Sequence, residues 1–595
     1  MTSRLPLLLA GAALCALASQ AVAEPRAQIR GDVDGDLKRQ LQQAIGDVDG
    51  APSSRFEARR RAHAALTSAQ ALLRSEGYYQ AEVEELVEGD DKPVAAIQVT
   101  PGRRFLLGKT SVDWSAPAPD AETGAAVIED IRLEPGEPGR AANILEAEGR
   151  IIADLTRRGY ADATALPRRV VVDHATYLVE PGFNIASGEL VRLNGIQLRT
   201  RGPSKESWVE GLVPWKEGDR YDPEDVAELE RRLQDTGVYD SVSVSLSRLD
   251  DTRPDGLRPV VVSLADRPVS LLEAGATYST YEGIGVDVFR TRYNRFGRAD
   301  TLRYGARIAS IDSRIGGEWS QPHWRKPGRT LKLSSYIVNE QTDAYDRNAL
   351  TLAADLSQRL GKTSWFSYGV GVDAGRYKEH RFDPVSQAPI TFDRDLAIVT
   401  LRGSAFMDRT NDPLNPTHGY RLSLSSQPTA VTGQDTVLFL RNEGMATTYR
   451  PVGADAKTVL AGRVRIGSII GGEELTVPSD RLFYSGGGGS VRGYSYQSIN
   501  PRLPNNRPRG GLSLFESSFE VRRDIGEKFQ AVAFVDGGAV GFQATPNLNN
   551  MRYGAGVGVR YKLPFGPVRA DIAFPLNKRE GDSEFQLYLS IGQAF

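Results

Sequence analysis

The stretch Glu584-Phe585-Gln586-Leu587-Tyr588-Leu589-Ser590-Ile591-Gly592-Gln593-Ala594-Phe595 decides how this 595-residue chain is read. Phe585, Leu587, Leu589, Ile591 and Phe595 fall in one phase of a period-two pattern. A β-strand sends successive side chains to opposite faces, so this strand has one apolar face. A transmembrane barrel needs such strands, with one face in hydrocarbon and the other toward a wet lumen. The same alternation recurs upstream in Tyr420-Arg421-Leu422-Ser423-Leu424, in Arg463-Val464-Arg465-Ile466 and in Ala555-Gly556-Val557-Gly558-Val559-Arg560-Tyr561. From residue 269 onward helical periodicity fades, and 16 of the 22 tyrosines follow residue 268. Clustered tyrosines suit aromatic girdles at a membrane boundary. At roughly 20 residues per strand and connection, residues 269–595 hold about 16 antiparallel strands, an even number as bacterial barrels require.

Composition alone suggests something else. The chain has 73 Lys+Arg against 75 Asp+Glu, a formal net charge of −2 and 40% apolar residues. That balance argues against nucleic-acid binding, which needs a basic surplus. Beyond the N-terminus no run of about 18 apolar residues occurs, so no transmembrane helix is expected. Arg4, the apolar run Leu5 to Ala18, and Ala21-Val22-Ala23 before Glu24 read as a secretory signal peptide over residues 1–23. The single cysteine, Cys15, falls inside it, and the exported chain is expected to have no disulfide.

Between leader and barrel the sequence repeats. Helix-like stretches end in Ser75-Glu76-Gly77-Tyr78-Tyr79, Arg157-Arg158-Gly159-Tyr160 and Asp235-Thr236-Gly237-Val238-Tyr239. The spacing is about 80 residues, each glycine sits where a helix end wants φ > 0, and a strand candidate follows each. Thr100-Pro101-Gly102 before Phe105, and Glu180-Pro181-Gly182 before Phe183, suggest a second landmark at the same spacing. In the third unit Asp222-Pro223 gives an N-cap with Pro at N1, and Val226, Leu229 and Leu233 form an apolar stripe. The expected domains are 24–102, 103–182, 183–268 and a barrel over 269–595.

Glycines Gly486 to Gly489 precede Ser490-Val491-Arg492-Gly493-Tyr494. This resembles the barrel-assembly superfamily of outer-membrane proteins, whose Val-Arg-Gly-Phe/Tyr tetrad tips a long extracellular loop folded into the lumen. The resemblance implies an α+β region of three β-α-α-β-β POTRA repeats in the periplasm and a 16-stranded antiparallel barrel in the Gram-negative outer membrane. It also implies that Arg492 pairs with carboxylates of the inner wall, matched here by Glu520 and Asp536. The physics agrees, because a desolvated guanidinium requires partners. The segment Asp408–Leu422 resembles the superfamily's mid-barrel turn, and the aromatic end at Phe595 resembles the targeting signal of outer-membrane barrels.

Three repeats and the chain length resemble the translocation-and-assembly-module branch of that superfamily. The implied function is insertion or secretion of autotransporters and other outer-membrane proteins, with a TamB-like inner-membrane-anchored partner. Exposed POTRA edges are expected to take up unfolded client strands. The barrel is expected to open sideways where Val269–Thr280 meets Glu584–Phe595, in contact with outer-membrane lipid. Gly275, Gly283, Gly285 and Gly592 are expected to weaken that seam, since Gly adds backbone entropy and little packing. The alternative is a two-partner-secretion translocator exporting one dedicated partner through its lumen.

Catalysis is not expected. Gly361-Lys362-Thr363 and Gly108-Lys109-Thr110 resemble P-loop ends, but Leu356 and Arg103 replace the first glycine. The five histidines lack metal-ligand spacing, no nucleophile with a base can be assembled, and neither metal nor cofactor is expected.

Overall fold

A computed structural model describes residues 23–279, 283–361, 363–383, 385–433, 436–453, 457–563, 566–591 and 593–595. The leader up to Val22, and Gly592, lie outside the described residues. The chain divides into two compact units. One comprises Met1–Gly195, Trp215–Val226 and Leu246–Val260, and the other Ile196–Pro214, Ala227–Ser245 and Val261–Phe595.

The first repeat runs strand Gln28–Arg30, helix Gly35–Ile45, helix Arg55–Ser75, then strands Glu82–Glu88 and Val94–Thr100. Ser54 caps the long helix by accepting the Glu57 N–H, while the Glu57 carboxylate takes the Ser53 N–H at 2.8 Å. This reciprocal arrangement satisfies donors that the first helical turn leaves open. Ala58, Ala62, Ala65, Ala69 and Leu73 are its buried stripe, and the small side chains let the helix lie close on the sheet.

The second repeat places helices Ala121–Glu129 and Ala141–Arg157 between the short strands Leu106–Leu107 and Ser111–Trp114 and the pair Thr164–Asp173, Leu178–Ala186. The third has strands Arg192–Thr200, Tyr239–Leu246 and Leu257–Asp266 in one sheet, with helices Glu206–Glu210 and Pro223–Gln234. Each repeat thus follows a β-α-α-β-β order, the second with its leading strand in two pieces. Gly77, Gly159 and Gly237 all take positive φ, at +93°, +98° and +70°, the conformation that ends each helix.

Two expectations about the repeats need correction. Strand Leu178–Ala186 runs through the boundary placed at 182/183, and Phe183 and Ile185 are buried in the second repeat's core. The Pro-Gly landmarks are also not equivalent. Pro101-Gly102 follows a strand, whereas Pro181-Gly182 lies inside one. Strand geometry tolerates a proline where its missing N–H leaves no ladder bond unmade.

The barrel is a 16-stranded antiparallel sheet whose hydrogen-bonding order equals chain order, from Ser270–Ser279 to Gln586–Ile591. Outward positions are apolar, as with Val286, Val288, Leu424, Ile466, Val557 and Val559, all exposed. Inward positions carry buried charges, among them Glu516, Glu520, Arg522, Asp536, Arg560 and Asp571.

Luminal lock and seam

Between strands Thr458–Ile470 and Ser513–Ile525 the chain makes an excursion over residues 471–512. It leaves at the end opposite to where the chain enters the barrel, since eleven antiparallel strands precede it. Its tip turns into the lumen, where Val491, Tyr494 and Ile499 bury one another. Gly493 has φ +97°, and a Cβ there would lie 2.8 Å from the Phe574 carbonyl carbon and oxygen. Only glycine combines that backbone with that approach.

Arg492 is 2% exposed and fully engaged. Asp536 accepts its Nε at 2.7 Å, its Nη2 at 2.9 Å and its backbone N–H at 3.0 Å. Glu520 accepts Nη1 at 2.6 Å, and Asp571 lies 3.4 Å from the same nitrogen. The guanidinium carbon sits 3.4 Å from the Phe534 ring centroid, a cation–π contact on a face that the in-plane hydrogen bonds leave open. Glu520, Asp536 and Asp571 are wholly buried. Charges so placed are tolerated only when geometry and hydrogen bonding compensate their desolvation. Here the compensation extends outward, because Arg522 Nε donates to Glu520 at 2.8 Å and Arg560 pairs with Asp571.

The structure therefore brings Val491, Arg492, Gly493, Tyr494, Glu520 and Asp536 together, and adds residues that sequence reasoning missed. Asp571 is the third carboxylate. Glu516 accepts from Ser485 at 2.7 Å and from Ser490. Arg463 donates to the carbonyls of Gly489 at 2.9 Å and Ser490 at 2.7 Å. The signal available was phase: Arg569-Ala570-Asp571-Ile572 places charge at alternate positions of a barrel strand, which only the lumen accommodates.

The seam lies between strands Ser270–Ser279 and Gln586–Ile591. The last strand is shorter and pairs with Val568–Pro575 from Val568↔Ile591 to Ala573↔Gln586. Among the described residues no strand pairing joins it to the first strand. Leu587 and Leu589 are exposed, as expected of a lipid-facing phase, and Phe585 packs on Phe574 with centroids 6.4 Å apart. Phe595 does not continue that phase, which corrects the sequence reading. The strand ends at Ile591, and Gln593 donates to Asn415 at 2.9 Å and to Gln530 at 3.1 Å. This turns the segment inward, so that Phe595 lies beside Tyr449, Val459 and Ala461, with the Arg463 and Arg522 guanidinium carbons 5.2 and 5.3 Å from its ring. Gly275 pairs with Asp287, Gly283 with Ser279 and Gly285 with Thr277, so all three lie in the first hairpin ladder.

In the second repeat, strand Thr164–Asp173 is a sheet edge, paired with Leu178–Ala186 through a register shift between Leu166 and Arg169. Leu166, Val170 and Val171 are exposed on it. An edge strand bearing apolar side chains is a template for further strands.

These features define a class: a 16-stranded outer-membrane barrel behind periplasmic POTRA repeats, held inside by an arginine-anchored loop. The chain belongs to the Omp85 superfamily, whose superfamily domain matches residues 294–595. A POTRA domain described as TamA domain 1 matches residues 26–101, and a POTRA described as a surface antigen variable number repeat matches residues 191–264. The chain is similar to outer membrane protein assembly factor BamA of Neorickettsia risticii, 23% identical over 86% of this chain and 69% of that protein. It is 20% identical to BamA of Neisseria meningitidis serogroup B, over 88% of this chain and 72% of the relative. Among solved structures, BamA from Haemophilus ducreyi lacking POTRA domains 1–3 matches with a TM-score of 0.69 and 17% identity, over 81% of this chain and 99% of that one.

Proposed function

We propose that this protein assembles β-barrel and autotransporter clients in the outer membrane, by opening its wall between strands Ser270–Ser279 and Gln586–Ile591. The observation that carries this reading is the seam. Fifteen strand junctions of the wall are hydrogen-bonded ladders, while no pairing of the described residues spans the sixteenth. Once the wall parts there, the N–H and C=O groups of the edge become available to a client hairpin. In hydrocarbon water cannot satisfy those groups, so pairing with the client is strongly favoured. Free energy comes from client folding, and the lipid beside the seam receives the finished hairpin.

The repeats serve delivery. Exposed edges such as Thr164–Asp173 hold extended chains through main-chain bonds, with little dependence on sequence. The match of residues 26–101 to a TamA-type first POTRA domain supports an inner-membrane-anchored, TamB-like partner for the periplasmic region.

The test is a set of disulfides pairing one cysteine in Ser270–Ser279 with one in Gln586–Ile591, in the full chain reconstituted in bilayers. Oxidation should stop client assembly and leave the barrel folded, with reduction restoring it. Undiminished assembly by the oxidised protein would sink the lateral-opening reading.

A further inference from the structure

Tyr588 joins the loop tip to the last strand. It lies between the exposed Leu587 and Leu589, yet it is buried, with its ring against Val532, Phe534 and Ala573. Its hydroxyl accepts the Gly493 N–H at 3.1 Å and donates to the Tyr494 carbonyl at 3.0 Å. A hydroxyl in such apolar surroundings is costly unless its donor and acceptor capacities are used. Both are used here, on the Gly493 N–H and the Tyr494 C=O just after Arg492. Phenylalanine would fill the same space, so packing alone does not account for the hydroxyl.

A second set of bonds ties the same loop to the hairpin end before the last strand and to Gln586, that strand's first residue. Tyr494 Oη donates to Asn577 at 2.9 Å, Arg579 Nη1 to the Asn500 carbonyl at 2.9 Å, and Gln586 Nε2 to Ser495 Oγ at 3.1 Å. Arg502 pairs with Asp582. Arg492 itself anchors the loop to strands Ser513–Ile525, Phe529–Gly541 and Val568–Pro575 through Glu520, Asp536 and Asp571. None of these is a seam edge. Tyr588 is on the edge strand.

We propose that Tyr588 is a positioning residue that couples the luminal loop to the seam. The last strand cannot peel from its neighbour without breaking the phenol's bonds to the loop, and the loop cannot withdraw without loosening the strand. Such coupling is reciprocal, because the free energy linking two events acts equally on both. Its consequence for client entry rests on the lateral-opening reading; the coupling itself does not.

Amide hydrogen exchange on the full chain in bilayers tests it without a client. Tyr588→Phe should accelerate exchange by about tenfold in both residues 586–591 and residues 485–500, the factor that one lost buried hydrogen bond typically brings. Strand Thr458–Ile470 should not change. Acceleration of one segment alone, or of neither, overturns the proposal. Should the variant fail to form a heat-resistant barrel, the unmodified protein decides. Its two segments must then open with one shared denaturant dependence, and separate dependences overturn the coupling. Failure of the seam disulfides to block assembly would count against lateral opening and leave these exchange results standing.

Discussion

Asp536 receives three hydrogen bonds from Arg492, two from the guanidinium edge at 2.7 and 2.9 Å and one from the backbone N–H at 3.0 Å. The carboxylate thus fixes the orientation of a peptide group as well as a charge. The loop tip has one azimuth in the lumen as a result, and Gly493 and Tyr494 are delivered to the last strand in register.

Truncating the arginine should therefore be severe. Arg492→Ala leaves Glu520, Asp536 and Asp571 facing one another in a buried site, and breaking a buried ion pair typically costs about 3–5 kcal/mol. Arg492→Lys keeps the charge but loses the planar fork, so its cost should be intermediate. The barrel's resistance to unfolding in heated detergent should rank wild type above Lys above Ala. Equal resistance for all three would remove the lock from the account.

Gly554 tests the same contact from the wall. A Cβ there would sit 1.8 Å from the Arg492 carbonyl oxygen, which is backbone and cannot rotate aside. Gly554→Ala should expel the tetrad while leaving Arg492 and its carboxylates chemically intact. Protease cleavage within residues 485–510 should rise well above wild type. A loop as protected as before would mean that the strand has moved instead.

The barrel and Arg492 were legible because both leave a pattern in sequence. Alternation over many strands and a guanidinium in a glycine-rich loop each have few physical explanations. Asp571 left only a one-residue phase on a short strand, and its partner is 79 positions away. Tyr588 reads equally well as a girdle residue, because a tyrosine beside leucines fits a membrane boundary from either side. Phe595 was misplaced since phase predicts facing only while the strand continues, and the ladder stops at Ile591. Gly77, Gly159 and Gly237 carried the repeats because backbone conformation demands them; Pro181-Gly182 has no such demand behind it.

His323, in the turn between strands Asp312–Gln321 and Arg329–Gln341, gives the third repeat a pH-dependent attachment. Its Nδ1 accepts the Gly328 N–H at 3.0 Å, which leaves Nε2 to donate to the Arg232 carbonyl at 2.9 Å. That is the neutral imidazole. Burial pushes its pKa below the ordinary 6.5, against the smaller upward pull of the Arg232 carbonyl; Arg232, Asp235 and Arg359 also act on it. The unfolded form binds a proton first as pH falls, so the contact should be at full strength above about pH 6.5 and weaken below it. Protection of the amides of residues 229–235, measured against their intrinsic exchange rates at each pH, should fall between pH 7.5 and 5.5. His323→Gln, which keeps a donor and an acceptor without titrating, should flatten that profile; an unchanged profile would assign the pH dependence to another group.

Asp120 acts with the same sign at lower pH in the second repeat. Its carboxylate caps helix Ala121–Glu129, accepting the Thr123 N–H at 2.9 Å, the Thr123 hydroxyl at 2.7 Å and the Tyr160 hydroxyl at 2.9 Å. These bonds, with the Thr123 N–H contributing most, hold its pKa down to about 2, against an ordinary value of 3.8. A depressed carboxylate stabilises the fold above its unfolded pKa, and the contribution is lost as pH falls through the folded one. The window is therefore about pH 4 down to about pH 2. Tyr160 is the residue after Gly159, so the cap also ties the second repeat's helix-ending motif to the start of its other helix. Protection in residues 121–129, measured against the intrinsic exchange rate at each pH, should fall as the periplasmic repeats are taken from pH 5 to pH 2.5. In Asp120→Asn the same amides should exchange faster already at pH 5 and respond less to acid, because the amide caps without ionising. Tyr160→Phe should retain part of the acid response, since the Thr123 bonds persist. A wild-type helix whose protection ignores acid over that window would place the stability of the second repeat elsewhere, in the packing of Ile144, Ile151 and Leu155 against the sheet.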